Sequence, residues 1–444
     1  MHGASTDFDV NKAIDAGGLS MLQKLAYVYT ALAVVLDGFD GQMIGYALPV
    51  IMKEWGVTRA AFSVAVAFGL AGMAVGSLSA GMLADRLGRK PVLIGSIFLF
   101  GSSTLLIGYA PDVSTIAVIR FFAGLGIGAT LPAAMALTAE FMPFRYRTMA
   151  VATAMVCYPL GGMLAGLVAA QVLPAQGWRA FFFIGGAMPI AYGLLMLLLL
   201  RESPKFLARQ SERWEELRAL LARMAHEVAH VKEFTEGVVE AAKRGSVAEL
   251  FRQGRAWDSS WLWLSFFMTQ LSIYTAFSWL PTMLTTEGLQ PAMAGMGLTA
   301  YNLGGVVGAV LCAMAINRFG SRKPMVFWAA MSAATALGLK LVSVTATPEI
   351  FLWGLGLHGL FVTALQCALS ALCMHVYPTP IRSTGAASAM AFGRVGAFVS
   401  SFAGAAMITA GGAAAYLNLL GGSMIMVVLA LAMVRGHVGP RHAQ

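Results

Sequence analysis

Residues 85–91 read Asp-Arg-Leu-Gly-Arg-Lys-Pro, and 232 positions after Asp85 residues 317–324 read Asn-Arg-Phe-Gly-Ser-Arg-Lys-Pro. Each stretch follows one long apolar run and precedes another. A second pair keeps almost the same distance: Glu140-Phe-Met-Pro143-Phe-Arg-Tyr-Arg147 and His375-Val-Tyr-Pro378-Thr-Pro-Ile-Arg382 each place an Arg four residues after a Pro, 235 positions apart. Two matches at nearly one offset are the trace of an internal duplication.

The runs around these loops set the fold class. The chain has 444 residues, 58% hydrophobic and 11% charged, and its mean hydropathy of +0.73 lies outside the range of soluble domains. A helix needs about 18 to 25 apolar residues to cross the hydrocarbon. Twelve such runs fall near 25–48, 60–82, 91–110, 114–138, 147–172, 179–200, 259–284, 292–315, 324–346, 350–374, 382–410 and 413–434. A membrane barrel would show short alternating segments, and none occur. The expected fold is all-α, twelve transmembrane helices in two six-helix bundles. The expected division is an N-terminal cytosolic segment (1–24), a first bundle (25–200), a cytosolic linker (201–258), a second bundle (259–434) and a cytosolic tail (435–444).

Of the 30 Lys and Arg residues, 24 fall in the termini and in the loops after even-numbered spans, four on the other side and two inside spans. The positive-inside rule then places both termini in the cytoplasm. The net charge of +9 follows from that topology and calls for no nucleic acid; basic residues at span ends meet anionic lipid. Residues 1–20 hold Asp7, Asp9, Lys12 and Asp15 and lack an apolar core, so no cleavable signal is expected. Cys157, Cys312, Cys367 and Cys373 all lie in spans and read as small packing residues. In the linker, Trp214, Leu217, Leu220 and Leu221 share one helical face and predict a surface helix lying on the membrane domain or the head groups.

Only two carboxylates sit well inside a span, Asp37 and Asp40, three residues apart on one helix face. A charged acid at a helix centre costs roughly 2.5 to 3.5 kcal/mol, so such residues line a cavity. Two like charges this close are not both ionised easily there, which predicts that the pair takes up and releases a proton. The alternative is that they cap a kink at Gly38 and Gly41 and pair with an arginine. Arg120 and Arg394 lie inside spans and Arg382 opens the eleventh. A guanidinium matches a carboxylate with two parallel hydrogen bonds and keeps its charge. Arg394, in the second half, is the expected anchor for an organic acid; Arg120 pairs with the acids or shares the substrate.

Gly81-Met-Leu-Ala-Asp85-Arg86-Leu-Gly88-Arg89-Lys90 resembles the signature loop of the major facilitator superfamily, and Arg120-Phe-Phe-Ala-Gly-Leu-Gly-Ile-Gly128 its fourth-span motif. Asp37-Gly-Phe-Asp40, Glu202-Ser-Pro-Lys-Phe-Leu207, Ser278-Trp-Leu-Pro-Thr282 and Gly393-Arg-Val-Gly-Ala397 are similar to the aromatic acid:proton symporters within it. The resemblance covers nearly the whole chain. It implies a carrier with alternating access at the inner membrane, importing benzoate-like and hydroxybenzoate-like acids with protons. Departures are Asn317 in place of the first loop's acid, and Ala133 after Pro132 where an amide is expected.

A flat ring with one polar end needs aromatic walls and a few directed hydrogen bonds. Phe39, Tyr46, Tyr274 and Trp279 are candidates, with Tyr301, Asn302, His358 and Gln366. Asp85, Arg86, Gly88, Arg89 and Lys90, with Arg318 and Arg382, are expected to gate, Asp85 bonding a helix end and a basic neighbour across the cytoplasmic face. Gly72 and Gly76, with Gly124, Gly126 and Gly128, are spaced for close helix contact.

Residues 226–230 read His-Glu-Val-Ala-His, the spacing of two helical zinc ligands and a glutamate base, with Glu249 as a conceivable third ligand. The linker is too short to build a substrate cleft around a metal, so the pair reads as histidines on a surface helix. No metal and no cofactor are expected, and the carrier reads as a monomer. The competing readings are a carrier of a non-aromatic organic acid, a proton antiporter exporting metabolites or drugs, and a membrane receptor that binds without transporting.

Overall fold

The computed structural model describes residues 7–439 except 225–227, 229–230, 232, 236–246, 253 and 379–380. After a short helix α1 (Val10–Ala16), the first half runs α2 (Met21–Trp55), α3 (Arg59–Leu87), α4 (Arg89–Ile107), α5 (Val113–Phe141) and α6 (Phe144–Leu199). The second runs α9 (Ala256–Thr286), α10 (Pro291–Phe319), α11 (Arg322–Gly338), α12 (Pro348–Val376) and α13 (Arg382–Met433). Polar side chains stop and start them. Ser20 and Gln23 form a reciprocal capping box ahead of α2, Gly56 ends that helix in the left-handed region, and Asp112 accepts the Thr115 N–H (2.7 Å) to open α5.

Among the described residues, eight helices are long and apolar enough to cross a membrane. Two of these, α6 and α13, have 56 and 52 residues, about 84 and 78 Å at 1.5 Å per residue, against roughly 30 Å of hydrocarbon. Each is two spans in series. Gly177 (φ 79) breaks α6 and the Gly411–Gly412 pair breaks α13. With α2, which carries both buried acids, and α9, rich in tryptophan and hydroxyls, the count is twelve.

The duplication is visible in the packing. Gly72 and Gly76 on α3 lie against the carbonyls of Phe121 and Leu125 on α5, where a Cβ would overlap. In the second half Gly304 and Gly308 on α10 meet the carbonyls of Gly356 and Leu360 on α12, each glycine 232 positions from its counterpart. These contacts replace side-chain volume with backbone proximity. Outside, large apolar side chains are bare: Leu198 and Trp353 are each 77% exposed, which only a lipid surround accommodates.

The linker departs from the all-helical expectation. It contains α7 (Pro204–Ala208) and α8 (Trp214–Arg223), and strand β2 (Glu233–Thr235) pairs in parallel with β1 (Asp7–Asp9) ahead of α1. Leu217, Leu220 and Leu221 are buried as predicted, and Trp214 stacks edge-on against Phe234 (5.7 Å). Three-residue strands leave too little alternation to be read from sequence. His226, Glu227 and His230 lie outside the described residues; Glu249 falls in a short 3-10 turn.

Candidate functional site

Asp37 and Asp40 are each 1% exposed and face the protein interior, so neither touches lipid. Their surroundings differ. The Thr104 hydroxyl of α4 donates to Asp40 Oδ1 at 2.5 Å, and the charge of Arg120 on α5 acts on the same carboxylate. Asp37 instead feels Arg394 of the opposite bundle. Among the described residues no ion pair joins either acid to either arginine. Asp37 Oδ1, Asp40 Oδ2, and Arg120 Nε and Nη1 are all buried without a hydrogen-bond partner. Buried polar groups are normally satisfied, so open acceptors and donors side by side mark a place built for something that comes and goes.

Arg394 lies on the first leg of α13, at the seam between bundles. Its Nη1 donates to Tyr274 Oη of α9 (2.8 Å) and to Met73 Sδ of α3 (2.9 Å). Tyr158, in the first leg of α6, completes this group: its ring lies 6.2 Å from Phe277, its carbonyl fills the space beside Gly38, and its hydroxyl has no partner. Glycine at 38 is required by that approach, since any Cβ would strike the Tyr158 backbone. Tyr158, Met73 and Thr104 were not picked out by sequence. The small residues at 38 and 41 were the available signal, because both face Tyr158.

The remaining candidates divide. Asn302 and Gln42 exchange two hydrogen bonds across the bundles (2.7 and 3.1 Å), and Tyr46 Oη donates to the Gly162 carbonyl (2.9 Å). Tyr301 is fully buried with its hydroxyl unpartnered, and Gln366 keeps Oε1 open. Three lie away from the seam. Phe39 packs inside the first bundle on Phe181 (6.3 Å), and Trp279 is fully buried against Gly404. His358 turns Nδ1 to the Ser332 carbonyl (3.0 Å) and Thr335 (3.2 Å) of α11, while its Nε2 is buried without a hydrogen-bond partner.

At the membrane face that carries the linker, Arg89 is the hub of the first signature loop. Its guanidinium bonds Asp85 (3.0 Å), Glu140 (3.0 Å) and the Ala84 carbonyl (2.9 Å). Glu202 Oε1 accepts the backbone N–H groups of Arg89 (3.0 Å) and Lys90 (3.1 Å), closing the open start of α4. Gly88 (φ 107) has no room for a Cβ beside that carboxylate. Asp85 therefore bonds within its own bundle in this conformation, and among the described residues the bond expected across the face is not made. Arg86 is exposed, Arg318 lies over the Phe319 ring (5.3 Å), and Arg382 Nε reaches the Tyr377 carbonyl (3.3 Å).

Among the described residues, the hydrogen bonds between bundles lie at mid-depth or toward the other end, as in Gln42–Asn302 and Arg59–Thr286 (2.8 Å). That end is closed. A sequence profile described as the Major Facilitator Superfamily matches residues 30–297 and, overlapping that range, 262–444, so that the two matches together span nearly the whole chain. The chain belongs to the Major Facilitator Superfamily. It is therefore a multi-pass membrane transporter and not an enzyme. This facilitator is 31% identical over 430 residues to a gallate transporter of Pseudomonas putida, covering 97% of this chain and 95% of that one. It is 33% identical over 408 residues to a 4-hydroxybenzoate transporter of Pseudomonas putida, covering 91% and 90%. The crystal structure of a D-xylose-proton symporter superposes with a TM-score of 0.70 at 20% identity, covering 92% of this chain and 97% of that one, a likeness of fold.

Proposed function

We propose that this facilitator is a proton-coupled symporter that imports aromatic carboxylates of the benzoate and hydroxybenzoate type across the inner membrane. The observation that carries the reading is the pair of buried acids with open oxygens, set between one arginine of each bundle and ion-paired to neither. Asp37 and Asp40 exchange the coupling proton. Arg394 and Arg120 hold the substrate carboxylate, with Tyr274, Tyr158 and Tyr301 beside the ring. The relatives' aromatic substrates support the choice of ligand.

The division into bundles at 25–200 and 259–434, both termini cytoplasmic, follows the charge distribution. The end tied by the Arg59–Thr286 hydrogen bond is then the outer one, which supports a substrate site that opens inward. Breaking the Asp85–Arg89 bond when the inner face closes leaves Asp85 to engage the second bundle. One monoanion entering with one proton moves no net charge; with two protons the potential adds about 2.3 kcal/mol per 100 mV. The test is uptake of labelled 4-hydroxybenzoate into vesicles of purified protein under an imposed pH gradient. Accumulation toward the alkaline side, abolished by an uncoupler, is expected. Gradient-independent flux, extrusion against the proton flow, or preference for a non-aromatic acid contradicts the reading.

A further inference from the structure

Arg394 shares its Nη1 between a good acceptor, Tyr274 Oη of its own bundle (2.8 Å), and a poor one in the other bundle, the sulfur of Met73 (2.9 Å). Its Nη1 is directed at the thioether of Met73, which also receives the Tyr274 hydroxyl at 3.3 Å. A thioether sulfur accepts hydrogen bonds weakly, and a guanidinium prefers a carboxylate by a wide margin. Among the described residues the arrangement is also one of the few hydrogen-bonded links between the bundles at this depth, because Met73 belongs to α3 and Arg394 and Tyr274 to α13 and α9.

The backbone of Met73 cannot yield. Its carbonyl is pressed on Gly128 and its N–H face on Gly124, where a Cβ would overlap. The side chain is otherwise: three soft torsions let a methionine swing without moving its helix. Met73 was not among the residues the transport reading needs.

We infer that Met73 is a positioning residue that holds the carboxylate place on Arg394 while the site is empty, and that an arriving substrate carboxylate displaces its sulfur and so releases a bond between the bundles. The inference rests on the proposed role of Arg394 as carboxylate ligand. It makes apparent affinity depend on how well residue 73 competes for the guanidinium. It also gives a reason why substrate occupancy and bundle movement are linked: the bond that must break for binding is one that ties the halves together.

The competition predicts opposite signs for two substitutions of similar volume. Met73→Leu removes the acceptor, and 4-hydroxybenzoate should bind about three- to tenfold more tightly; Met73→Gln supplies a stronger acceptor and should weaken binding by a similar factor. Affinity is measured by calorimetry on purified protein, beside Arg394→Lys. A change in the same direction for both Met73 variants, or none, overturns the inference. Arg394→Lys separates the two levels. Weaker binding there with a flat Met73 series sinks only the placeholder, whereas unchanged binding sinks the role of Arg394 itself. Should either Met73 variant fail to fold, carbon-13 methyl spectra of the wild-type methionines decide the matter. One buried methyl must move from an immobilised to an averaged signal on saturation with 4-hydroxybenzoate; spectra unchanged at saturation overturn the inference.

Discussion

At the start of α4 the backbone N–H groups of Arg89 and Lys90 are met by the carboxylate of Glu202, whereas at the start of α11 the N–H of Ser321 is met by the Val438 carbonyl (2.9 Å). In both places the partner comes from the chain just past the last span of its own bundle. Both turns need a glycine at positive φ, Gly88 (107) and Gly320 (78). The geometry is shared by the two halves and the chemistry is not. The first loop is a charged knot of Asp85, Arg89, Glu140 and Glu202. In the second, Asn317 is exposed and Ser321 Oγ binds the Val438 N–H (2.8 Å) and His437 Nδ1 (3.0 Å). Since the second copy folds without the knot, the charges of the first are not what shapes the turn. They fit a task only one half performs, which is the gating proposed for Asp85.

If that contrast is sound, substitutions at matching positions differ. The largest effect is expected for Arg89→Ala, which leaves Glu140 with the Ser203 hydroxyl but without its paired cation and should cost about 3 kcal/mol, against under about 1 kcal/mol for the exposed Arg322→Ala. Denaturant titration of the detergent-solubilised variants measures both, and equal losses would erase the distinction. Next, Gly88→Ala should cost about 2 kcal/mol, because it meets both a left-handed backbone and the Glu202 carboxylate. Gly320→Ala meets a positive-φ backbone and no such carboxylate knot, and should cost less, about 1 kcal/mol. Ser321→Ala removes the hydroxyl joining the tail to α11 and should cost about 1 kcal/mol, read as faster proteolysis around residues 435–439 with transport intact.

The smallest effect is one of pH. The His437 ring is engaged at both nitrogens, Nε2 donating to the Leu431 carbonyl (3.1 Å) and Nδ1 accepting from Ser321. Burial, aided by Arg322 and His375 and opposed by the Leu431 carbonyl and Asp258, holds its pKa below the ordinary value of 6.5. The docked tail thus binds fewer protons than a released one. Docking is complete above the ordinary imidazole pKa and weakens as pH falls through it toward the lowered value. Deuterium uptake at residues 435–439 should rise between about pH 7.5 and about pH 5.5, and His437→Gln should flatten that dependence.

Sequence carried the architecture because a spanning helix must be long, apolar and internally hydrogen-bonded, and because a duplication repeats its loops at a fixed offset. It carried the four charges of the site for the same reason: an ionisable group in a span is costly and therefore rare. It did not carry Tyr158, Met73 or Thr104. A tyrosine, a methionine and a hydroxyl in an apolar run look the same whether they face lipid, core or cavity, and only the crossing of α3, α4 and α6 with the seam tells them apart. Nor did it separate Phe39, Trp279 and His358 from the residues that do meet there. Periodicity assigns a face to a helix, and not the neighbour that face will find.

The central claim is that Asp37 trades its proton during turnover, and a single substitution in reconstituted vesicles addresses it. Asp37→Asn should abolish gradient-driven accumulation of labelled 4-hydroxybenzoate while counterflow exchange of the same compound persists. Accumulation at the wild-type level in that variant would contradict the account.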